Sequence, residues 1–181
     1  MGNFIARLPD RRSILGVYAT AVFLVYSWTL FASFWKVPSW LFFLNLSEVL
    51  SIYAYSFVID FAESLTLLFL VLLVGMLLPR RWWNARFTAM GVVWLVVLMG
   101  SIMIRLYTNR TPDGWEEFVH NQWTWWGPTL LLGLTLSFVF SYVSWLRKGL
   151  ENFVDRLIVF LYLYLPLTVL SVIVVLARII F

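Results

Sequence analysis

Cysteine is absent from this 181-residue chain, and histidine occurs only once, at His120. Without thiols there are no disulfides, no thiolate metal sites and no cysteine nucleophile. A single imidazole leaves little from which to build a Ser–His–Asp triad or a multi-histidine metal centre. Charge is scarce as well. Asp, Glu, Lys and Arg make up 12% of the residues, against about 25% in a soluble domain. No serine nucleophile elbow, P-loop or dinucleotide fingerprint occurs. The net charge of +4 is not gathered in any soluble segment, so nucleic acid is not an expected partner.

Hydrocarbon is abundant instead. Hydrophobic residues make up 62% of the chain, which includes 11 Trp. Its apolar runs are long and continuous, which marks an all-α integral membrane protein. A membrane β-barrel would instead alternate in and out over segments of about 10 residues. The pattern predicts a five-transmembrane-helix bundle in a single transmembrane domain over residues 1–181. The expected spans are about 13–35, 53–78, 87–107, 128–146 and 157–180, each able to cross a core of ~30 Å.

Basic residues orient these spans. Arg7, Arg11, Arg12, Arg80, Arg81, Arg86, Arg147, Lys148 and Arg156 fall on one side; Lys36, Arg105, Arg110 and Arg178 fall on the other. The positive-inside rule then places the N-terminus in the cytoplasm and the C-terminus outside. The expected location is a bacterial inner (plasma) membrane. "RLPDRRSILGVYATA" has the basic start and the small-x-small triplet of a cleaved signal. Its apolar run continues well past that triplet, so an uncleaved first span is expected.

One or two short outer interfacial helices are expected, in interfacial segments at about 38–52 and 112–124. In the first, Asn45 stands three residues before Glu48, the spacing of an N-cap with a reciprocal acidic partner. In the second, Trp115, Phe118, Val119 and Trp123 recur at helical spacing opposite Glu116, Glu117 and His120.

The stretch "SFVIDFAESLTLLFL" carries the candidate site. Asp60 and Glu63 stand one helical turn apart within hydrocarbon. An ionised side chain at mid-bilayer costs roughly 2.5–3.5 kcal/mol on insertion scales. Counted from the cytoplasmic ends of their spans, Asp60 and Arg105 each lie about 19 residues out, roughly 29 Å, and Glu63 about 16 residues, roughly 24 Å. Adjacent antiparallel helices would let Arg105 bridge both acids, as a binding site or as a structural ion-pair rivet. Tyr53, Ser56, Asp60, Glu63 and Ser64 share an arc of about 100°. Arg178 ends a polar stripe on the last span near the same surface. Gly133, Ser137, Ser141 and Ser144 form a small-residue face that suits close helix packing.

Glu117 and His120 have the Glu-x-x-His spacing of metal-binding helices, but a carboxylate-bridged centre needs two such pairs. No metal and no cofactor are therefore expected. Arg80, Arg81 and Arg86 suit contact with anionic lipids of the bilayer.

Three function classes fit. The first is a non-catalytic subunit or accessory protein of a larger membrane complex, with other membrane subunits or further copies of the chain as partners. The second is a carrier or transport component with an outward-opening Asp60/Glu63/Arg105 site. The third is an intramembrane lipid-acting enzyme.

Overall fold

The computed structural model describes residues 9–77, 86–108 and 122–180. Those residues are arranged as six helices with no strands: α1 Arg11–Phe34, α2 Val37–Phe43, α3 Leu46–Leu77, α4 Phe87–Thr108, α5 Gln122–Tyr142 and α6 Ser144–Ile180. Arg7, Arg80, Arg81, Arg110, Glu117, His120 and nearly all of the second interfacial segment lie outside the described residues.

Four of these helices, α1, α3, α4 and α6, are long and apolar enough to cross a membrane. The helix α5, which holds most of the expected fourth span, is not among them. Trp125, Trp126, Gly127, Pro128, Thr129, Thr135, Ser137 and Ser141 dilute its apolar character. By length and composition, four of the described helices qualify as membrane-crossing.

Helix ends follow local chemistry. Pro38 sits in the first turn of α2, where its missing N–H costs no helix bond. The chain then breaks at Leu44–Asn45, and α3 begins. The Asn45 backbone N–H donates to the Glu48 carboxylate at 2.8 Å, which ties down one of the orphan donors at that helix start. The segment expected to be interfacial at 38–52 thus divides between α2 and the first turns of α3. A larger difference lies at residues 147–156, where a loop was expected between spans. They belong to α6, and their charges pair along and across helices. Arg147 meets Glu151 one turn on, at 3.9 Å, and Asp155 accepts from Arg12 of α1 at 2.7 Å.

Side-chain pairs give the direction of each helix. Tyr26 and Ser33 of α1 reach Phe57 and Tyr53 of α3, so α1 and α3 are antiparallel. Gly16 and Val17 lie against Thr88 and Gly91, so α4 runs with α1. Trp125 bonds to Ser101, Gly133 abuts Trp94, and Arg86 stacks on Tyr142, so α5 returns along α4. Arg12 meets Asp155 and Tyr26 meets Thr168, so α6 again runs with α1. The five longer helices alternate in direction. Arg11, Arg12, Arg86, Arg147, Lys148 and Arg156 therefore gather at one end of the bundle.

The helix α1 occupies the centre. Its Ala19, Val22, Val25 and Tyr26 pack with Phe57 of α3 and with Leu157, Leu161 and Tyr164 of α6. Its Val17 and Ala21 pack with Phe87, Val92 and Leu95 of α4 and Val154 of α6. Gly16 sets the spacing between α1 and α6: a Cβ there would stand 2.5 Å from the Val154 Cγ1. Small residues let membrane helices approach this closely.

Candidate functional site

A line of polar groups runs along the seam between α1 and α3. Ser33 donates to the Tyr53 hydroxyl at 3.0 Å near the top of the seam. Thr29 donates to Asp60 Oδ1 at 2.7 Å. The Tyr26 hydroxyl donates to the Phe57 carbonyl at 3.2 Å and also bonds to the Thr168 hydroxyl of α6. Three helices are thereby tied at one level. The Tyr26 ring stacks on Phe57 and tilts against Tyr164, with centroids 5.5 and 4.8 Å away. Ser56 is half-buried and returns its hydroxyl to the Ile52 carbonyl.

Asp60 is 4% exposed, and only one of its oxygens is satisfied. Oδ2 is buried and has no hydrogen-bond partner. A buried acceptor in that state suits a proton, an amine or a small cation.

The expected bridge from Arg105 to the two acids is not formed. Among the described residues the ion pairs are Arg12–Asp155 and Arg147–Glu151. Arg105 is buried, 8% exposed, and makes interactions of its own. Geometry explains the difference. Leu67, Leu68, Val71 and Leu72, the α3 residues packed with the α4 core, all lie beyond Asp60 toward the basic end. At the level of Asp60, α3 faces α1 and α6.

Glu63 parts from Asp60 as well. The residues on the α3 arc divide: Asp60 and Ser64 are buried, while Glu63 is exposed beside Ile59, Ala62 and Thr66 on the outward face. A step of three residues turns a helix by about 300° and a step of four by about 40° past a full turn. Ser64 thus follows Asp60 inward, and Glu63 swings out. Asp60 pairs with Thr29 and Ser64 lies against Tyr18, which puts Glu63 between those two levels, around the middle of α1. Arg178 is exposed near the far end of α6.

Three members of the small-residue face lie on α5 toward α4. A Cβ on Gly133 would stand 2.7 Å from the Trp94 ring, and Ser137 and Ser141 are buried. Ser144 departs from the face. The helix breaks at Val143, so Ser144 opens α6 and is exposed.

Comparison with protein-family models, with curated proteins and with solved structures gives no match to this chain.

Sequence reasoning passed over Tyr18, Tyr26, Thr29 and Ser33. Their signal is legible in hindsight: they recur at steps of eight, three and four, a single polar stripe along an otherwise apolar α1. Polar residues inside membrane helices face partner helices by preference.

Proposed function

We propose that the chain is a five-span inner-membrane protein with a cytoplasmic N-terminus. It serves as a non-catalytic subunit that docks on other helices of a larger membrane complex. The alternating helix directions and the basic residues gathered at one end support five spans in that orientation. With a length of about 30 Å, α5 is long enough to reach across the bilayer.

One observation carries the subunit reading: Glu63 points away from its own bundle at mid-height. A carboxylate facing lipid there is costly, and the apolar residues around it cannot compensate. A partner helix offering Arg, Lys, His or a hydroxyl removes that cost. Thr66, one turn nearer the basic end on the same face, extends the polar contact.

A second reading rests on Asp60. Its unpartnered oxygen, next to Thr29 and Tyr26, supports a carrier component that takes a proton, an amine or a cation.

One experiment with two arms tests both. The tagged chain is extracted from its native membrane in gentle detergent, and co-purifying proteins are identified by mass spectrometry. The subunit reading expects a stoichiometric membrane partner that is lost in Glu63→Leu and kept in Asp60→Asn. The carrier reading expects no partner dependence, and uptake or binding lost in Asp60→Asn alone. A monodisperse wild-type particle without partners overturns the first.

A further inference from the structure

The helices α3, α4 and α5 border a second feature, separate from the α1–α3 seam: a cavity of about 610 Å³ that is open on one side, where Leu70, Leu134 and Phe138 are exposed. That volume falls within the ~300–1,000 Å³ typical of ligand sites. Its walls are apolar over most of their length, built by Leu70, Val71, Trp94, Leu98, Leu130 and Leu134. Polarity is confined to the end where the basic residues gather.

Two observations there point to a ligand. Ser137 and Ser141 line the cavity, are 4% and 3% exposed, and their hydroxyls have no hydrogen-bond partner. Neighbours on the same helix behave differently. Thr129 and Thr135 return their hydroxyls to carbonyls one turn back, at 2.9 and 2.6 Å. A buried hydroxyl left unmatched within an apolar wall is unfavourable unless a bound group meets it. The second observation is Arg86. Its guanidinium carbon lies 4.4 Å from the centre of the Tyr142 ring, at the cavity mouth. Stacking occupies the face of the guanidinium and leaves its in-plane N–H donors for a bidentate acceptor. The start of α4 adds the positive end of a helix dipole at the same place.

We propose that this cavity holds one anionic phospholipid of the adjacent leaflet. Its phosphate sits on Arg86, an acyl chain fills the apolar length, and its glycerol-ester carbonyls accept from Ser141 and Ser137 once these hydroxyls, covered by protein in this structure, rotate about χ1 toward the cavity. The order of groups matches the order of the lipid. Ser141 and Ser137 lie about 1.5 and 7.5 Å along α5 from Tyr142, on the side where a lipid's esters follow its phosphate into the bilayer. A partner helix would fill the apolar length but would not call for a cation at the mouth and hydroxyls just below it. The site is independent of Glu63 and Asp60, so it stands whether or not the chain docks on a partner.

The test uses the full chain in nanodiscs of phosphatidylcholine, with phosphatidylglycerol carrying an acyl-chain diazirine added as probe. Saturable labelling is expected within residues 90–98 and 130–141. Unlabelled phosphatidylglycerol competes more strongly than phosphatidylcholine, whose choline cation offsets the phosphate charge that Arg86 meets. Arg86→Gln raises the half-saturating concentration about tenfold, the loss of one charge-assisted contact, and Arg86→Lys recovers part of it. Ser141→Leu blocks the label. Equal competition by phosphatidylcholine overturns the proposal, as does label spread without saturation over the outer face of α6. A photoreactive residue at Leu134 that captures a protein in the native membrane also overturns it. If a variant does not fold, the wild-type competition decides alone.

Discussion

Asp60 has one oxygen bonded and one bare, and Thr29 decides how costly that is. Removing the threonine hydroxyl leaves a buried carboxyl with no donor on either oxygen. Thr29→Val should therefore destabilise the bundle by about 1–3 kcal/mol. The penalty belongs to the stranded acceptor rather than to the lost bond. Replacing Asp60 by Leu in the Thr29→Val background should thus recover most of the loss. Thermal unfolding of the single and double variants in one detergent checks this. If the double variant is no more stable than Thr29→Val, Asp60 is not a strained acceptor. Glu63, three residues away, obeys a different account. It is exposed, so its replacement should leave the fold alone.

At the scale of elements, the α1–α6 crossing depends on one missing side chain. Gly16 leaves room for the Val154 methyl, which a Cβ would meet at 2.5 Å. Val154 is itself buried in the lower core, so it has nowhere to retreat. Gly16→Ala should cost about 1–3 kcal/mol through overpacking, in spite of the ~1 kcal/mol that alanine gains in helix propensity. Val154→Ala vacates the space that the new methyl needs. The double variant should then lie well above the sum of the two single losses, a coupling that a double-mutant cycle in unfolding temperature measures directly. Strict additivity would mean that the two helices do not meet there. The same elements show where pattern reading falls short. The charges at Arg147, Glu151 and Asp155 read as a loop between spans, yet they follow helical spacing and fold as the first turns of α6.

For the whole molecule, the proposed five-span topology turns on α5 crossing the membrane. Four helices qualify by length and apolarity, whereas helix direction along the bundle favours five crossings. A chain without cysteine makes the test direct. Single substitutions Ser39→Cys on α2 and Ser144→Cys at the start of α6 are labelled with a membrane-impermeant maleimide on intact cells. Five spans expect Ser39→Cys to react from outside and Ser144→Cys to react only after permeabilisation. Reaction of both from outside means that α5 lies on the surface and that four helices cross.

The residues around Asp60 mark the division between what was legible in one dimension and what was not. Helical class, apolar lengths, the Asn45–Glu48 start of α3 and the charge asymmetry of the two ends follow from composition and spacing, because each is set within a few turns of chain. Which helix each acid faces was not legible in that way. Helices adjacent in sequence were expected to pair, but α3 turns its polar side to α1 and α6, and Arg105 lies on a helix that meets α3 only nearer the basic end. That choice is made by side-chain fit between distant segments: Gly16 under Val154, the Tyr26 ring between Phe57 and Tyr164, and Gly133 beneath Trp94. Sequence alone determined that this chain forms apolar helices with a buried acid among them. Only the tertiary packing decided that Asp60 turns inward to a threonine while Glu63, one turn along, faces out.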